Sequence, residues 1–294
     1  MGQRVLGQLG TGGGSVVYEA IGAKEERYAL KHIVRKSESE DRYIEQALRE
    51  HEVSQKFDHI TLRKSIKIIT RKELAPFSVM KKTRSLFVIA EMAVLMEYID
   101  GETLEERPPK NMREFCLIFL QVARGLEAMH KAGYVHSDIK PLNLMLTKTG
   151  HVKIIDLGLT CRVHTARERI TGTPGFIAPE QAKGKSITAQ TDVFCFGTTM
   201  YKLLCGQHAP TLIRDKSAKA TVPASAEEPM PEKATSKSTE TCMTPQELNP
   251  EVPPALSLLV MDCIRKKPEN RPEGIASVHE RLRLAIKQID NAAG

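Results

Sequence analysis

The stretch YVHSDIKPLNLML, residues 134–146, sets His136, Asp138, Lys140 and Asn143 within eight positions of one another. Pro141 rules out a continuous helix there, so an acid, a base and an amide share one extended loop. Ser137 stands between the histidine and the aspartate. Downstream, LMLT, KTG and HVKII read as strand, turn and strand, and they lead to Asp156. Antiparallel strands lie about 4.8 Å apart, so closing this hairpin brings Asn143 and Asp156 together at its open end. Two hard oxygen ligands there suit Mg²⁺, which takes few protein ligands and completes its shell with phosphates and water. A second phosphate signal lies near the N-terminus. Gly10, Gly12, Gly13 and Gly14 let the backbone approach a phosphate closely, and Lys31 follows about twenty residues on. A dinucleotide fold would run from strand through glycines into helix and carry an acid at that distance. Here VVYEAIG continues as a strand and the later residue is a lysine. A hairpin lid over phosphates, with a cation beneath, fits better.

The elements that must hold these groups can also be read. Residues 3–34 form three predicted strands, RVLGQL, VVYEAIG and RYALKHIV, separated by short turns. Ser37 lies three before Glu40, a capping-box spacing that opens a predicted helix running to Phe57. Another strand ends at AVLMEYI. Beyond DGETL the pattern turns helical: residues 115, 118, 119, 122, 126 and 129 recur at helical spacing, and Gly133 supplies a stop. TDVFCFGTTMYKLL reads as a buried helix and GIASVHERLRLAIKQI as an amphipathic one. The expected fold class is α+β: a small antiparallel β-sheet lobe with one helix, then a larger, mainly helical lobe. Residues 215–246 hold only Val222, Met230 and Met243 as large apolar side chains, too few to offset ordering entropy. That segment is expected to be a mobile insertion.

Composition narrows the class further. The 294 residues are 41% hydrophobic and 27% charged, a globular balance with enough chain for a substantial core. The longest apolar run, SLFVIAEMAVLM, is too short to span a bilayer, and six scattered cysteines contain no C-x-x-C pair. A cytoplasmic location is expected. The net charge of +7 is local: residues 63–84 carry eight basic residues and one acid, leaving 35 of each sign elsewhere. This basic segment could attract an acidic or phosphorylated partner; nothing else points clearly to nucleic acid.

Taken together, the motifs resemble a eukaryotic-type protein kinase catalytic domain from end to end. They occur in the family's order: GTGGGSVV, YALK, HSDIKPLN, DLG, GTPGFIAPE, DVFCFG and NRP. The resemblance implies one catalytic domain over 1–290, with an N-lobe at 1–98, a C-lobe at 99–290 and the 215–246 insertion. It also implies ATP and Mg²⁺ as cofactors and protein substrates. Gly10, Gly12 and Ser15 would form the phosphate lid, and Lys31 would hold phosphates while paired with Glu50. Val17 and Ala29 would sandwich adenine, with Met145 below and Met96 behind. The backbones of Glu97 and Ile99 would meet the adenine edge. Asp138 would accept the substrate hydroxyl's proton, Lys140 would steady the γ-phosphate, and Asn143 and Asp156 would hold Mg²⁺. Glu180 with Arg271, and Asp192, resemble structural anchors. Lys140 and Thr173 resemble the serine/threonine branch, so the acceptor is expected to be an alcohol. The alternative is a pseudokinase scaffold that binds nucleotide without catalysis.

The departures carry expectations of their own. Ser15 replaces a third lid glycine, and Leu157 replaces phenylalanine in the metal motif. Ser54 stands where the family sets an apolar residue, which predicts a helix free to swing. Ser137 replaces an arginine that receives an activation-loop phosphate, so phosphorylation at Thr165 or Thr171 is not expected to be the main switch.

Overall fold

The computed structural model describes residues 4–12, 14–74, 86–167, 170–210 and 242–293. Five antiparallel strands open the chain: β1 (Arg4–Gly12), β2 (Ser15–Ile21), β3 (Arg27–Val34), β4 (Ser65–Leu74) and β5 (Phe87–Glu97). They lie in the order β1-β2-β3-β5-β4. Side chains alternate across a strand, and β5 accordingly buries Ala90, Met92, Val94 and Met96 on one face. The register Ala29↔Met96, Lys31↔Val94 and Ile33↔Met92 puts Lys31 on the same inward row as two apolar neighbours.

Helix α1 (Asp41–Ser54) packs on that face through Ile44 and Ala47, which join Ala29, Ile33, Met92, Val94 and Met96 in one cluster. Glu50 continues the buried stripe, whereas Glu52 is exposed. The expected Ser37 cap is not made: its hydroxyl meets Ser39 at 2.8 Å. Nor does Glu40 reach back to the Ser37 N–H; it accepts instead from the Lys36 N–H, one residue earlier, at 2.5 Å. The helix therefore begins after a single 3₁₀ turn.

The second half is built on α2 (Met112–Lys131) and α4 (Ala189–Cys205), with the short α3 (Pro179–Ala182) between them. Asn111 caps α2 by accepting from the Glu114 N–H at 2.8 Å. Then α5 (Pro245–Leu248), α6 (Pro254–Cys263) and α7 (Ile275–Ala293) complete it. Phe115, Phe119, Leu126, Phe196, Leu259 and Leu282 lie in its single large core. Small sheets sit near the junction: β6 (Gly101–Thr103) pairs with β8 (Leu144–Thr147), which pairs with β9 (Val152–Ile154), and β7 (Tyr134–Val135) pairs with β10 (Cys161–Arg162). The protein is thus α+β. Among the described residues no helix is long and apolar enough to cross a membrane.

Two expectations change here. Of the 215–246 insertion, 215–241 lie outside the described residues, but 242–246 are fixed. Thr244 caps α5 in a capping box with Glu247, and Tyr201 donates to the Met243 carbonyl at 2.9 Å. The proline, threonine and glutamate that made this end look unstructured are helix-start residues. Of the basic 63–84 segment, 75–84 lie outside the described residues, and several of the remaining cations are engaged. Arg63 is internal, Lys64 pairs with Asp58 at 2.6 Å, and Arg71 pairs with Glu91 at 2.8 Å.

Candidate active site

The alternation of β3 and the stripe of α1 aim Lys31 and Glu50 at each other. Lys31 Nζ donates to Glu50 Oε2 at 2.8 Å. Burial works to lower the Lys31 pKa, yet Glu50 and Asp156 outweigh it, and the net shift is upward. The ammonium is therefore held charged inside the protein. Glu50's other oxygen accepts from Arg63 Nη2, also at 2.8 Å. Arg63 is in turn tied to β9, its N–H donating to the Ile154 carbonyl at 3.0 Å. Sequence reasoning missed this role because Arg63 opens a basic run and read as surface charge.

Ser54 departs from expectation. It is buried, and its hydroxyl accepts from the Ser65 N–H at 2.7 Å. His51 Nδ1 lies 2.8 Å from Ser65 Oγ, and Gln55 donates to the Ser65 carbonyl at 2.5 Å. The small polar side chain fastens the end of α1 to β4; it does not leave the helix free.

Asp138 gathers the second group of residues. Its carboxylate accepts from Thr173 Oγ1 at 2.9 Å and Asn143 Nδ2 at 3.1 Å, and lies 3.0 Å from Lys140 Nζ. Lys140 also reaches Thr173 Oγ1 at 2.5 Å. Behind the loop, fully buried Asp192 accepts from the N–H groups of His136 (2.8 Å) and Ser137 (2.7 Å) and from His130 Nε2 (2.8 Å). Burial pushes the Asp192 pKa up, but His130, His136 and the Ser137 N–H prevail and hold it below the ordinary aspartate value. Ser137 needs this support, because it is a non-glycine residue at φ 65°.

The hairpin β8–β9 closes as the spacing predicted. The Ile155 N–H donates to the Asn143 carbonyl at 2.9 Å, which brings Asn143 and the chain leading to Asp156 side by side. Asn143 spends its amide nitrogen on the Asp138 side chain and carbonyl. Asp156 Oδ1 accepts from the Gly158 N–H at 2.8 Å. Among the described residues no three His, Cys, Asp or Glu side chains cluster to hold a metal by themselves. The amide and carboxylate oxygens of Asn143 and Asp156 are a donor set for a hard ion that brings phosphate oxygens with it, and so they fit Mg²⁺.

The glycine hairpin joins β1 to β2, with Gly10↔Val17 and Gly12↔Ser15 in register. Ser15 closes its tip by donating to the Gly12 carbonyl at 2.8 Å. Gly14 has φ 74°, and a Cβ there would come within 2.4 Å of the Tyr43 ring on α1. Val17, Ala29 and Met96 share one apolar cluster, while Met145 stands on β8. The Glu97 N–H donates to the Lys64 carbonyl at 2.9 Å, so a ligand contact from the Glu97 backbone must use its carbonyl. The Ile99 backbone follows two residues on, between β5 and β6.

Asp156 thus lies close enough to Lys31 to raise its pKa, and Asn143 is bonded to the Asp138 carboxylate. The protein kinase domain family matches residues 4–282, and the chain belongs to that family. It is 32% identical over 197 residues to a Clostridium acetobutylicum protein named "probable serine/threonine-protein kinase", covering 64% of this chain and 28% of that one. It is 29% identical over 199 residues to the serine/threonine-protein kinase PknB of Mycolicibacterium smegmatis, 64% of this chain and 29% of that one. It is 30% identical over 189 residues to the DNA damage-responsive serine/threonine-protein kinase RqkA of Deinococcus radiodurans, 63% of this chain and 26% of that one. The chain matches little more than a quarter of the length of these relatives.

Proposed function

We propose that the chain is an ATP- and Mg²⁺-dependent protein serine/threonine kinase. One observation carries this reading: Asp138 accepts a hydrogen bond from the Thr173 hydroxyl at 2.9 Å, beside Lys140. An alcohol can therefore present its proton to this carboxylate within the site.

The lid backbone at Gly10, Gly12 and Ser15 covers the phosphates, and Lys31, held charged by Glu50, binds them. Val17, Ala29, Met96 and Met145 enclose the adenine, with the Glu97 carbonyl and the Ile99 backbone at its edge. Asn143 and Asp156 hold Mg²⁺, which supplies charge neutralisation to the phosphates when bound. Asp138 orients the acceptor hydroxyl of a protein substrate and takes its proton. The hydroxyl oxygen bonds to the γ-phosphorus, the bond to the β–γ bridging oxygen breaks, and ADP leaves. Lys140 offsets charge on the transferred group. The reading draws on ATP in the cytoplasm, and the basic 63–84 segment is our candidate contact for an acidic or phosphorylated partner. The domain comprises 1–290, with lobes divided near residue 98.

The test is transfer of labelled γ-phosphate to a generic protein substrate. Asp138→Asn should lower kcat by about 10²–10⁴-fold and leave ATP affinity within about threefold. A near-wild-type rate in that variant would refute the role of Asp138. ATP binding by the wild type with no transfer to any protein would favour the scaffold reading.

A further inference from the structure

Ser137, next to the candidate proton acceptor, leaves the catalytic loop without a long cation at that position, and a guanidinium from another segment occupies the neighbourhood. Arg167 lies in the stretch that joins the metal loop to the GTPGF platform. Its Nη2 donates to the Leu159 carbonyl and lies 3.5 Å from Ser137 Oγ. Its Nη1 donates to Thr171 Oγ1. Ser137 donates to the same Leu159 carbonyl at 2.6 Å. One half-buried side chain thereby ties together the metal loop, the catalytic loop and the approach to the platform.

The rest of the segment shows why this matters. Its first part is held by backbone pairing, Cys161↔Val135 and Thr165↔Ile187. Its last part is held by Thr173 on Asp138 and by Gln181, which donates to the carbonyls of Ser137 (2.9 Å) and Thr171 (3.4 Å). Among the described residues between Thr165 and Thr171, Arg167 supplies the side-chain hydrogen bonds that reach back to Leu159 and Ser137. A guanidinium suits this place, since its fixed fork can serve several acceptors at once.

We infer that Arg167 is a positioning residue that orders residues 159–167 and 170–173 for phosphotransfer without a phosphate on them. It does so through Leu159, Ser137 and Thr171. This inference rests on the kinase reading and adds the means by which that site is set. A segment ordered by its own arginine needs no modification to face Asp138 with Thr173.

The experiment compares wild type, Arg167→Ala, Arg167→Lys and Thr171→Ala, each treated with phosphatase and checked by mass. Phosphotransfer kinetics and backbone hydrogen exchange are both measured. Wild type should transfer phosphate in the unphosphorylated state. Arg167→Ala should lose about 10- to 100-fold in kcat, the scale of a misplaced group, with KM for ATP unchanged within about twofold. Exchange should rise over residues 159–173 and stay level in α4. Arg167→Lys, with a single ammonium, should recover part of the loss. Thr171→Ala, which removes one of the acceptors, should lose less than Arg167→Ala. An Arg167→Ala protein with wild-type kcat and unchanged exchange would overturn the inference. So would a wild type active only when phosphorylated. A wild type that transfers no phosphate in either state overturns the kinase reading instead, while the exchange comparison still decides whether Arg167 orders the segment.

Discussion

Two buried glutamates in this protein meet cations in opposite ways. In the helical half, Glu180 faces Arg271 through two bonds of 2.7 and 2.9 Å, and Arg271 also donates to the carbonyls of Arg265, Gln190 and Lys266. In the β-rich half, Glu50 takes one bond each from Lys31 and Arg63, both at 2.8 Å. The Arg271 fork is saturated by protein and can only be a frame. The Lys31 ammonium gives one hydrogen bond to Glu50 and carries donors for a phosphate as well. Similar ion-pair chemistry thus gives a closed frame in one half and, in the other, a cation with donors to spare, which the proposed function uses for phosphate. Asp192 belongs with the frame, and Ser54 belongs with the site.

The largest expected effect falls on the Glu180–Arg271 pair. Arg271→Ala leaves Glu180 buried without its cation and should cost about 3–5 kcal/mol of stability in chemical denaturation. Glu50→Gln should cost clearly less stability while cutting kcat/KM by about tenfold or more, because Lys31 loses its charged partner. Equal stability losses in the two variants would show that both pairs are framework.

Acid sharpens the contrast. Asp192 has a depressed folded pKa, so its contribution is complete above the ordinary carboxylate range, about pH 4. It is lost as pH falls through the lower folded value. The groups facing it are His130 on α2 and His136 with the Ser137 N–H in the catalytic loop. Asp192→Asn should therefore lower stability at neutral pH and flatten the acid limb of a stability–pH curve below about pH 4. An unchanged acid limb would remove Asp192 from the account.

Smaller effects test the site end. Arg63→Ala should leave the Lys31–Glu50 pair intact and lower kcat/KM by about three- to tenfold, with α1 less firmly held, as read by exchange in residues 44–54. Ser54→Ala strips the acceptor from the buried Ser65 N–H and should cost about 1–2 kcal/mol. A stabilised Ser54→Ala protein would return the helix to the free-swinging picture.

Much of this was legible in the sequence, for reasons that can be named. Strand alternation alone turns Lys31 to the same face as Ala29 and Ile33, and helical periodicity alone puts Glu50 on the stripe with Ile44 and Ala47. The hairpin between Asn143 and Asp156 follows from turn chemistry at KTG. These are local rules, and the residues they govern need only the chain on either side of them. The start of α1 was less legible, since Ser37 competes with Ser39 for its own hydroxyl. The end of the insertion was misjudged because helix-start residues are also loop residues by composition.

What the tertiary structure alone decided concerns side chains whose partners lie far along the chain. Nothing local distinguishes Arg63, which turns inward to Glu50, from Lys64 beside it, which pairs with exposed Asp58. Nothing local sends Arg167 back to Leu159 and Ser137, or gives Ser54 the Ser65 N–H. Periodicity fixes the face on which a residue lies, but a long flexible side chain or a lone hydroxyl takes whichever partner folding brings within about 3 Å. That choice is made when α1, β4, the catalytic loop and the 159–173 segment close on one another.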